Sequence, residues 1–159
     1  MKLIDATKII AASAICMLAM PAFGQSVKEV GPVQVQGAWV RATVAGQKST
    51  GAFMRITATS ATRLVGASSL VGGVAEMHEM KMNGNVMTMR EAPVIELPAG
   101  RAVDFKSGGY HIMLMDLKQP LLPGSVVPLT LKFRDEGGVE TTLDLVVPVS
   151  KGAPAAALH

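Results

Sequence analysis

Two histidines and two methionines in this chain combine residue types and spacings that are typical of a metal site. The segment from Ala75 to Ala92, AEMHEMKMNGNVMTMREA, holds His78 and five of the 11 methionines. A second segment, HIMLM, begins at His111. Thioether sulfur is a soft, uncharged ligand, and soft ligands select Cu(I), whereas imidazole binds copper in general. Two neutral imidazoles and two thioethers around Cu(I) would leave a site of charge +1.

The methionine-rich segment is predicted to form a β-hairpin. Asn83-Gly84 is a strong signal for a two-residue hairpin loop. With that loop, His78 faces Met89 across the two strands, at a Cβ separation of about 5 Å. Because side chains alternate along a strand, the same face also carries three further methionines, Met80, Met82 and Met87.

The second histidine segment is predicted to be another strand. His111 and Met113 are two residues apart, so they share one face, while Ile112 and Leu114 point into the core. If this strand meets the hairpin, four soft or borderline donors converge. The candidate metal ligands are therefore His78, Met89, His111 and Met113.

Other metals and thiol chemistry fit this donor set poorly. Calcium and magnesium require oxygen ligands, and structural zinc requires thiolates or several imidazoles. A blue-copper electron-transfer site requires a cysteine. The only cysteine is Cys16, which lies in a segment that we expect to be removed.

That segment, residues 1–24, is predicted to be a secretory signal peptide. Lys2 and Lys8 give a positive start, the apolar run IIAASAICMLAM follows, and Ala22 and Gly24 are small residues before the expected cleavage. Lipid attachment at Cys16 is disfavoured, because neither Ile15 nor Ser13 fits the pattern that precedes a lipidated cysteine.

We divide the chain accordingly and expect a periplasmic protein. The segments are a signal peptide (1–24), a leader (25–32), a copper-binding β domain (33–150) and a disordered tail (151–159). Of the 159 residues, removal of 24 leaves 135, and the net charge falls from +3 to +2 with the loss of two lysines and one aspartate. Basic residues are scattered, so nucleic-acid binding is not expected.

The fold class is predicted to be all-β, an antiparallel Greek-key sandwich or barrel. Short alternating segments separated by Gly, Pro, Asn and Asp recur along the chain, and no amphipathic helix of ten or more residues is evident. About 135 residues can form a core without disulfides.

At these residues the chain resembles the periplasmic copper(I) chaperones called PCuAC. Their signature of His, ten residues, Met, twenty-one residues, His, one residue and Met matches His78, Met89, His111 and Met113. The flanking GNVMTMRE, LPAG and GGYHIMLMDLKQPL are similar as well. The resemblance implies a cupredoxin-like fold and delivery of Cu(I) to cytochrome c oxidase subunit 2 or a Sco-type chaperone. A second, C-terminal copper site found in some members is not expected, because the tail holds only His159.

Several alternatives remain open from the sequence. The protein is expected to be a monomeric carrier without turnover, but a periplasmic copper buffer or a small copper redox enzyme would use similar ligands. A metal-free domain with a methionine-rich protein interface is a third function. The remaining methionines could be auxiliary ligands, a capture path or hydrophobic packing, and packing is favoured for Met80, Met82, Met87 and Met115. Met54 and Met77 are predicted to be packing residues. Trp39 is predicted to lie in the core, with the shielding of a copper site as the alternative.

Overall fold

The computed structural model describes residues 27–155 and consists of β-strands connected by turns. Within this range no helix is long and apolar enough to cross a membrane. The eleven strands are β1 (Lys28–Val30), β2 (Val33–Arg41), β3 (Ser49–Ala58), β4 (Thr62–Ser68), β5 (Val74–Asn83), β6 (Val86–Glu91), β7 (Ile95–Leu97), β8 (Ala102–Phe105), β9 (Tyr110–Met115), β10 (Val126–Asp135) and β11 (Glu140–Ser150).

The strands form one curled sheet in the order β6-β5-β9-β8-β3-β2-β11-β10-β4-β7, with β1 paired to β2. Most neighbours are antiparallel, while β8–β9 and β11–β2 are short parallel contacts. Chain-consecutive strands such as β3 and β4 lie far apart in this order, as in Greek-key connections. The all-β prediction is confirmed, and the observed form is a half-barrel.

The core lies inside the curl, and on β10 and β11 it is built by alternation along the strand, whereas β3 is buried continuously from Thr50 to Met54. On β10, Leu129, Leu131 and Phe133 are buried while the residues between them are more exposed. On β11, Leu143 and Val147 are buried in the same way. This two-residue period is what a strand with one apolar face requires. Trp39, Met54 and Met77 are all buried. Met54 and Met77 pack in the core cluster, as predicted, whereas Trp39 lies outside that cluster.

Several predicted segments fall partly or wholly outside the described residues. The signal peptide (1–24) lies outside them, as do residues 25 and 26 of the leader and residues 156–159 of the tail. Strand β1 lies within the leader range, where Lys28 pairs with Val35 of β2. The segment boundaries as a whole remain predictions.

The hairpin β5–β6 exists, but the predicted register was wrong. Asn83 pairs with Val86, so the loop is Gly84-Asn85 rather than Asn83-Gly84. Gly84 has a φ of 62° and occupies the first central position, where type II′ turns place glycine. The prediction had put it second, as in a type I′ turn. The partner of each β5 residue therefore moves by two positions.

This shift of two residues changes the pairs and keeps the faces. Met89 lies opposite Met80, and His78 lies opposite Glu91. Since the side-chain period of a strand is two, His78 and Met89 still share a face as diagonal neighbours, with a Cα separation of about 7–8 Å. The predicted direct contact between them is thus corrected to a diagonal one.

Candidate metal centre

His78 and His111 lie side by side where β5 pairs with β9. The two residues are direct cross-strand partners. Their rings meet edge to face with centroids 5.8 Å apart. Both are buried, at 8% and 7% exposure, although β5 carries exposed residues at both of its ends. The sheet thus brings together the two histidines that are 33 residues apart in the sequence.

The hydrogen bonds of the two imidazoles leave one ring nitrogen of each available for a metal. Nε2 of His78 lies 2.9 Å from a carboxylate oxygen of Glu76, and Nδ1 of His111 lies 3.2 Å from the carbonyl oxygen of Gly109. An oxygen acceptor at one ring nitrogen favours the proton there and places the lone pair on the other nitrogen. Donation of these two N–H groups leaves Nδ1 of His78 and Nε2 of His111 as acceptors.

Nδ1 of His78 provides the test of whether the site fits a metal. It is buried and has no hydrogen-bond partner within the described part of the chain. Buried polar atoms are nearly always paired, because an unpaired one costs its desolvation free energy. A metal ion would supply the missing partner. The tautomer, the orphaned nitrogen and the adjacent second imidazole therefore fit a copper ion.

Met113 lies on the same face as His111, as the strand alternation predicted. It pairs with Glu76 of β5 on one side and with Gly51 of β3 on the other. His111, Met113 and Met80 all line a cavity of about 320 Å³. One histidine and two thioethers are thus grouped around a single space.

The structure places Met80, rather than Met89, beside this cavity. The side chain of Met89 is 50% exposed and stands one strand further out, on β6. Met80 was predicted to be a packing residue, but its backbone N–H bonds to the carbonyl oxygen of Gly109, next to the His111 strand. Met80 therefore lies beside the same cavity as His111, whereas Met89 lies diagonal to His78.

A layer of aromatic rings forms the buried side of the site. The ring of Phe53 lies with its centroid 6.3 Å from that of His111 and 4.8 Å from that of Trp39. Arg41 lies 5.4 Å over the Phe53 ring on the cavity side. A Cβ at residue 51 would come within 2.7 Å of the Phe53 ring, so this position needs Gly51. The sequence analysis did not identify Phe53 or Gly51 as parts of the site. The only signal for them was the glycine that follows Thr50 in the stretch TGAFMRIT.

This environment favours the neutral form of His111. Burial lowers the pKa of His111, the hydrogen bond to the carbonyl oxygen of Gly109 opposes that change, and nearby His78 lowers the pKa further. A neutral imidazole is the form that binds a metal. The ring is therefore uncharged over a wider pH range than that of an exposed histidine.

Sequence and structure comparisons identify the relatives of this chain. A model for LpqE-like proteins, described as putative lipoproteins, matches residues 33–147, which is most of the chain. The chain belongs to this LpqE-like family. The "Putative lipoprotein Lxx21020" of Leifsonia xyli subsp. xyli (strain CTCB07) is 35% identical over 136 residues, with 84% of this chain and 80% of the relative covered.

Solved structures similar to this LpqE-like chain include domains described as copper-bound. The Cu(I) form of DR1885 from Deinococcus radiodurans is 30% identical, with a TM-score of 0.58 and coverage of 73% of this chain and 76% of the other. The copper-bound PCuAC domain from PmoF2 is 25% identical, with a TM-score of 0.60 and coverage of 78% and 98%. The half-barrel is thus the fold of PCuAC domains.

Proposed function

We propose that this protein is a cell-envelope carrier that binds Cu(I) reversibly and hands it to an acceptor protein. The observation that carries the proposal is the His78–His111 pair, each ring with one nitrogen fixed by hydrogen bonding and the other free. Met113 and a methionine of the hairpin complete a neutral donor set of the kind that selects Cu(I). The copper-bound forms of PmoF2 and DR1885, which share this fold, support the same cargo.

The position of the site favours transfer rather than permanent storage or catalysis. The imidazoles are buried, but the thioethers at the hairpin are half exposed, so an incoming protein can exchange ligands one at a time. A carrier needs no general acid or base. Multiple turnovers by the copper-loaded protein with a reductant in a steady-state assay would contradict the carrier and favour a redox enzyme.

The acceptor that we propose is the dinuclear copper centre of cytochrome c oxidase, reached through subunit 2 or a Sco-type chaperone. This assignment rests on the resemblance to PCuAC chaperones. A deletion strain tests it: loss of assembled oxidase at low copper, restored by the gene, is expected. Normal oxidase with increased copper sensitivity would instead indicate a buffer.

Export is part of the proposal, and the mature N-terminus decides its form. Membership of a family described as lipoproteins supports export. The sequence predicts cleavage before Gln25, whereas lipid attachment would retain Cys16. Intact-mass analysis of the protein from membrane and periplasmic fractions distinguishes a soluble form beginning at Gln25 from a lipidated form beginning at Cys16.

The binding site itself is tested by Cu(I) titration against a chromophoric competitor. The protein is expected to bind Cu(I), and the tightly bound ion should be lost in the His78→Ala, His111→Ala double variant. His159→Ala is the matched control, because it removes the remaining histidine of the chain. Unchanged tight binding in the double variant would overturn the proposed site.

A further inference from the structure

The hairpin β5–β6 carries four methionines in two adjacent cross-strand pairs. Met80 lies opposite Met89, and Met82 lies opposite Met87. All four side chains share the face that also holds His78. We call these four residues the methionine ladder. Directly opposed Cβ atoms are about 5 Å apart, and the two pairs are about 7 Å apart along the strands. Each Cβ thus lies about 4 Å from the centre of the group.

Packing does not account for these side chains. Met82, Met87 and Met89 are 58%, 50% and 50% exposed. β6 is at the end of the sheet order, so it has β5 as its neighbour on one side. On the other side of β5, the loop before β9 presents Gly108, where an added Cβ would meet Cε of Met87 at 3.6 Å. This distance is an ordinary van der Waals contact, so the methyl end of Met87 lies beside the loop, while Met82 and Met89 remain at least half exposed.

The distribution of charge along the hairpin also separates the ladder from an ordinary solvated surface. The opposite face carries Glu79, Lys81 and Arg90, and Arg90 donates a hydrogen bond to Glu79 at 2.8 Å. On the ladder face the four thioethers are adjacent, and the nearest charged residues of the hairpin on that face are Glu91, opposite His78, and Glu76. Four adjacent, flexible and polarisable sulfur side chains on one face are suited to a soft monovalent cation.

We propose that the methionine ladder is a second Cu(I) site, made of thioethers alone, that receives the ion and passes it to the histidine pair. Met80 belongs to the ladder and also lines the cavity of His111 and Met113. The ion can therefore move inwards by exchanging one thioether at a time for an imidazole, and no oxidation or reduction is involved. The destination of the ion rests on the proposed function, whereas the binding itself does not.

The test compares Cu(I) titrations of the purified protein, the Met82→Leu, Met87→Leu variant and the His78→Ala, His111→Ala variant. Leucine keeps the volume and apolar character but removes the sulfur. The unaltered protein is expected to bind a tight and a weaker equivalent. The leucine variant should lose the weaker one, and the alanine variant should lose the tight one. Val86→Leu, on the opposite hairpin face and 63% exposed, is the matched control.

The methyl resonances of ¹³C-methyl-labelled methionine locate the bound ion during the same titration. The methyl groups of Met82 and Met87 should shift while the weaker equivalent binds. If the protein bound a single equivalent of Cu(I), and the leucine variant bound it equally well, the methionine ladder would not be a copper site. The histidine site would remain. A single equivalent lost only in the leucine variant would support the ladder and overturn the histidine site. The proposal would also be overturned if the protein bound one equivalent of Cu(I) and captured a partner protein equally well with and without copper. The ladder would then be a protein interface.

Discussion

At the scale of single residues, the site depends on hydrogen bonds that the ligands make away from the metal. The Glu76 carboxylate fixes the proton of His78 on Nε2, so that Nδ1 is free. Glu76 is two residues before His78 and on the same face of β5, next to Met113 of β9. It is thus a positioning residue, and it acts on the metal through the imidazole.

Replacement of Glu76 should weaken Cu(I) binding, and more so when the new side chain cannot accept a hydrogen bond from His78. Loss of such an outer partner typically costs about 10–100-fold in metal affinity, and we expect this for Glu76→Ala. Glu76→Gln keeps an oxygen acceptor and should lose much less. Competitive Cu(I) titration gives the affinities, and the ¹⁵N shifts of His78 report its tautomer.

The matched control for this prediction is Glu91→Ala. Glu91 also lies across from His78, on β6, but its carboxylate makes no hydrogen bond to the imidazole. If Glu91→Ala weakened binding as much as Glu76→Ala did, the charge near the site would be the cause. The tautomer argument would then be wrong.

The lowered pKa of His111 gives the stability of the copper-free protein a defined pH dependence. Burial is the main cause of the lowered pKa, so the unfolded chain takes up this proton at a higher pH than the folded chain. Below the ordinary histidine pKa of about 6.5, the unfolded state therefore binds more protons and folding stability falls as the pH falls. Denaturant unfolding measured from about pH 7.5 to about pH 5, a range that spans this pKa, gives the dependence of the free energy of unfolding on pH.

The variant His111→Gln should flatten this part of the profile. Glutamine has no titrating group, so the difference in proton uptake at this position disappears. If the stability of the variant fell equally steeply on acidification, the proton uptake would belong to a residue other than His111.

Since ligand nitrogens must be deprotonated, Cu(I) affinity should also fall on acidification.

At the scale of elements, the turn of the hairpin β5–β6 determines which side chains meet. Gly84 has a positive φ in open space, with nothing within 4 Å of an added Cβ. A substitution there is therefore unfavourable through backbone conformation alone. The pairs Met80–Met89 and Met82–Met87 depend on this turn, because they follow from its register.

Gly84→Ala should destabilise the hairpin by about 1 kcal/mol, the cost of a non-glycine residue in the left-handed region. Amide hydrogen exchange on β6 should then be about fivefold faster, since 1 kcal/mol corresponds to that factor. Gly152→Ala is the matched control, because it also lies in open space and has no positive φ. Unaltered exchange on β6 would show that the turn does not limit hairpin opening.

At the scale of the whole molecule, the fold relies on its apolar core. The chain has one cysteine, so it cannot form an intramolecular disulfide. The second half of the sheet, with β10, β11, β4 and β7, contributes buried side chains such as Leu131 and holds none of the candidate ligands. The candidate ligands therefore lie in one part of the sheet, whereas the core extends over all of it and includes Ile112 and Leu114 of β9.

Leu131→Ala should lower the free energy of unfolding by about 2–5 kcal/mol, the range for such a substitution in a core. Val146→Ala, at a position that is 75% exposed, should change it by less than about 0.5 kcal/mol. Thermal or denaturant unfolding measures both. Cu(I) affinity of the folded Leu131→Ala protein should be unchanged, and a large loss of affinity would couple the core to the site.

The sequence by itself determined the class of fold and the faces of the strands, and it predicted the kind of metal chemistry. Alternation with a period of two assigned Ile112 and Leu114 to the core and His111 and Met113 to the other face. These are local properties of the backbone, so they are visible in any strand-forming sequence. The donor types alone indicated Cu(I), because softness belongs to the side chain.

Only the tertiary structure decided which residues are neighbours. The register of β5–β6 depends on which turn position Gly84 occupies, and the pairing of His78 with His111 depends on a contact between strands far apart in sequence. The hydrogen bond from Nε2 of His78 to Glu76, the aromatic layer at Phe53 and the place of Met80 beside the cavity also follow from that packing. Such contacts result from the balance of the whole core, and spacing in the sequence does not encode them.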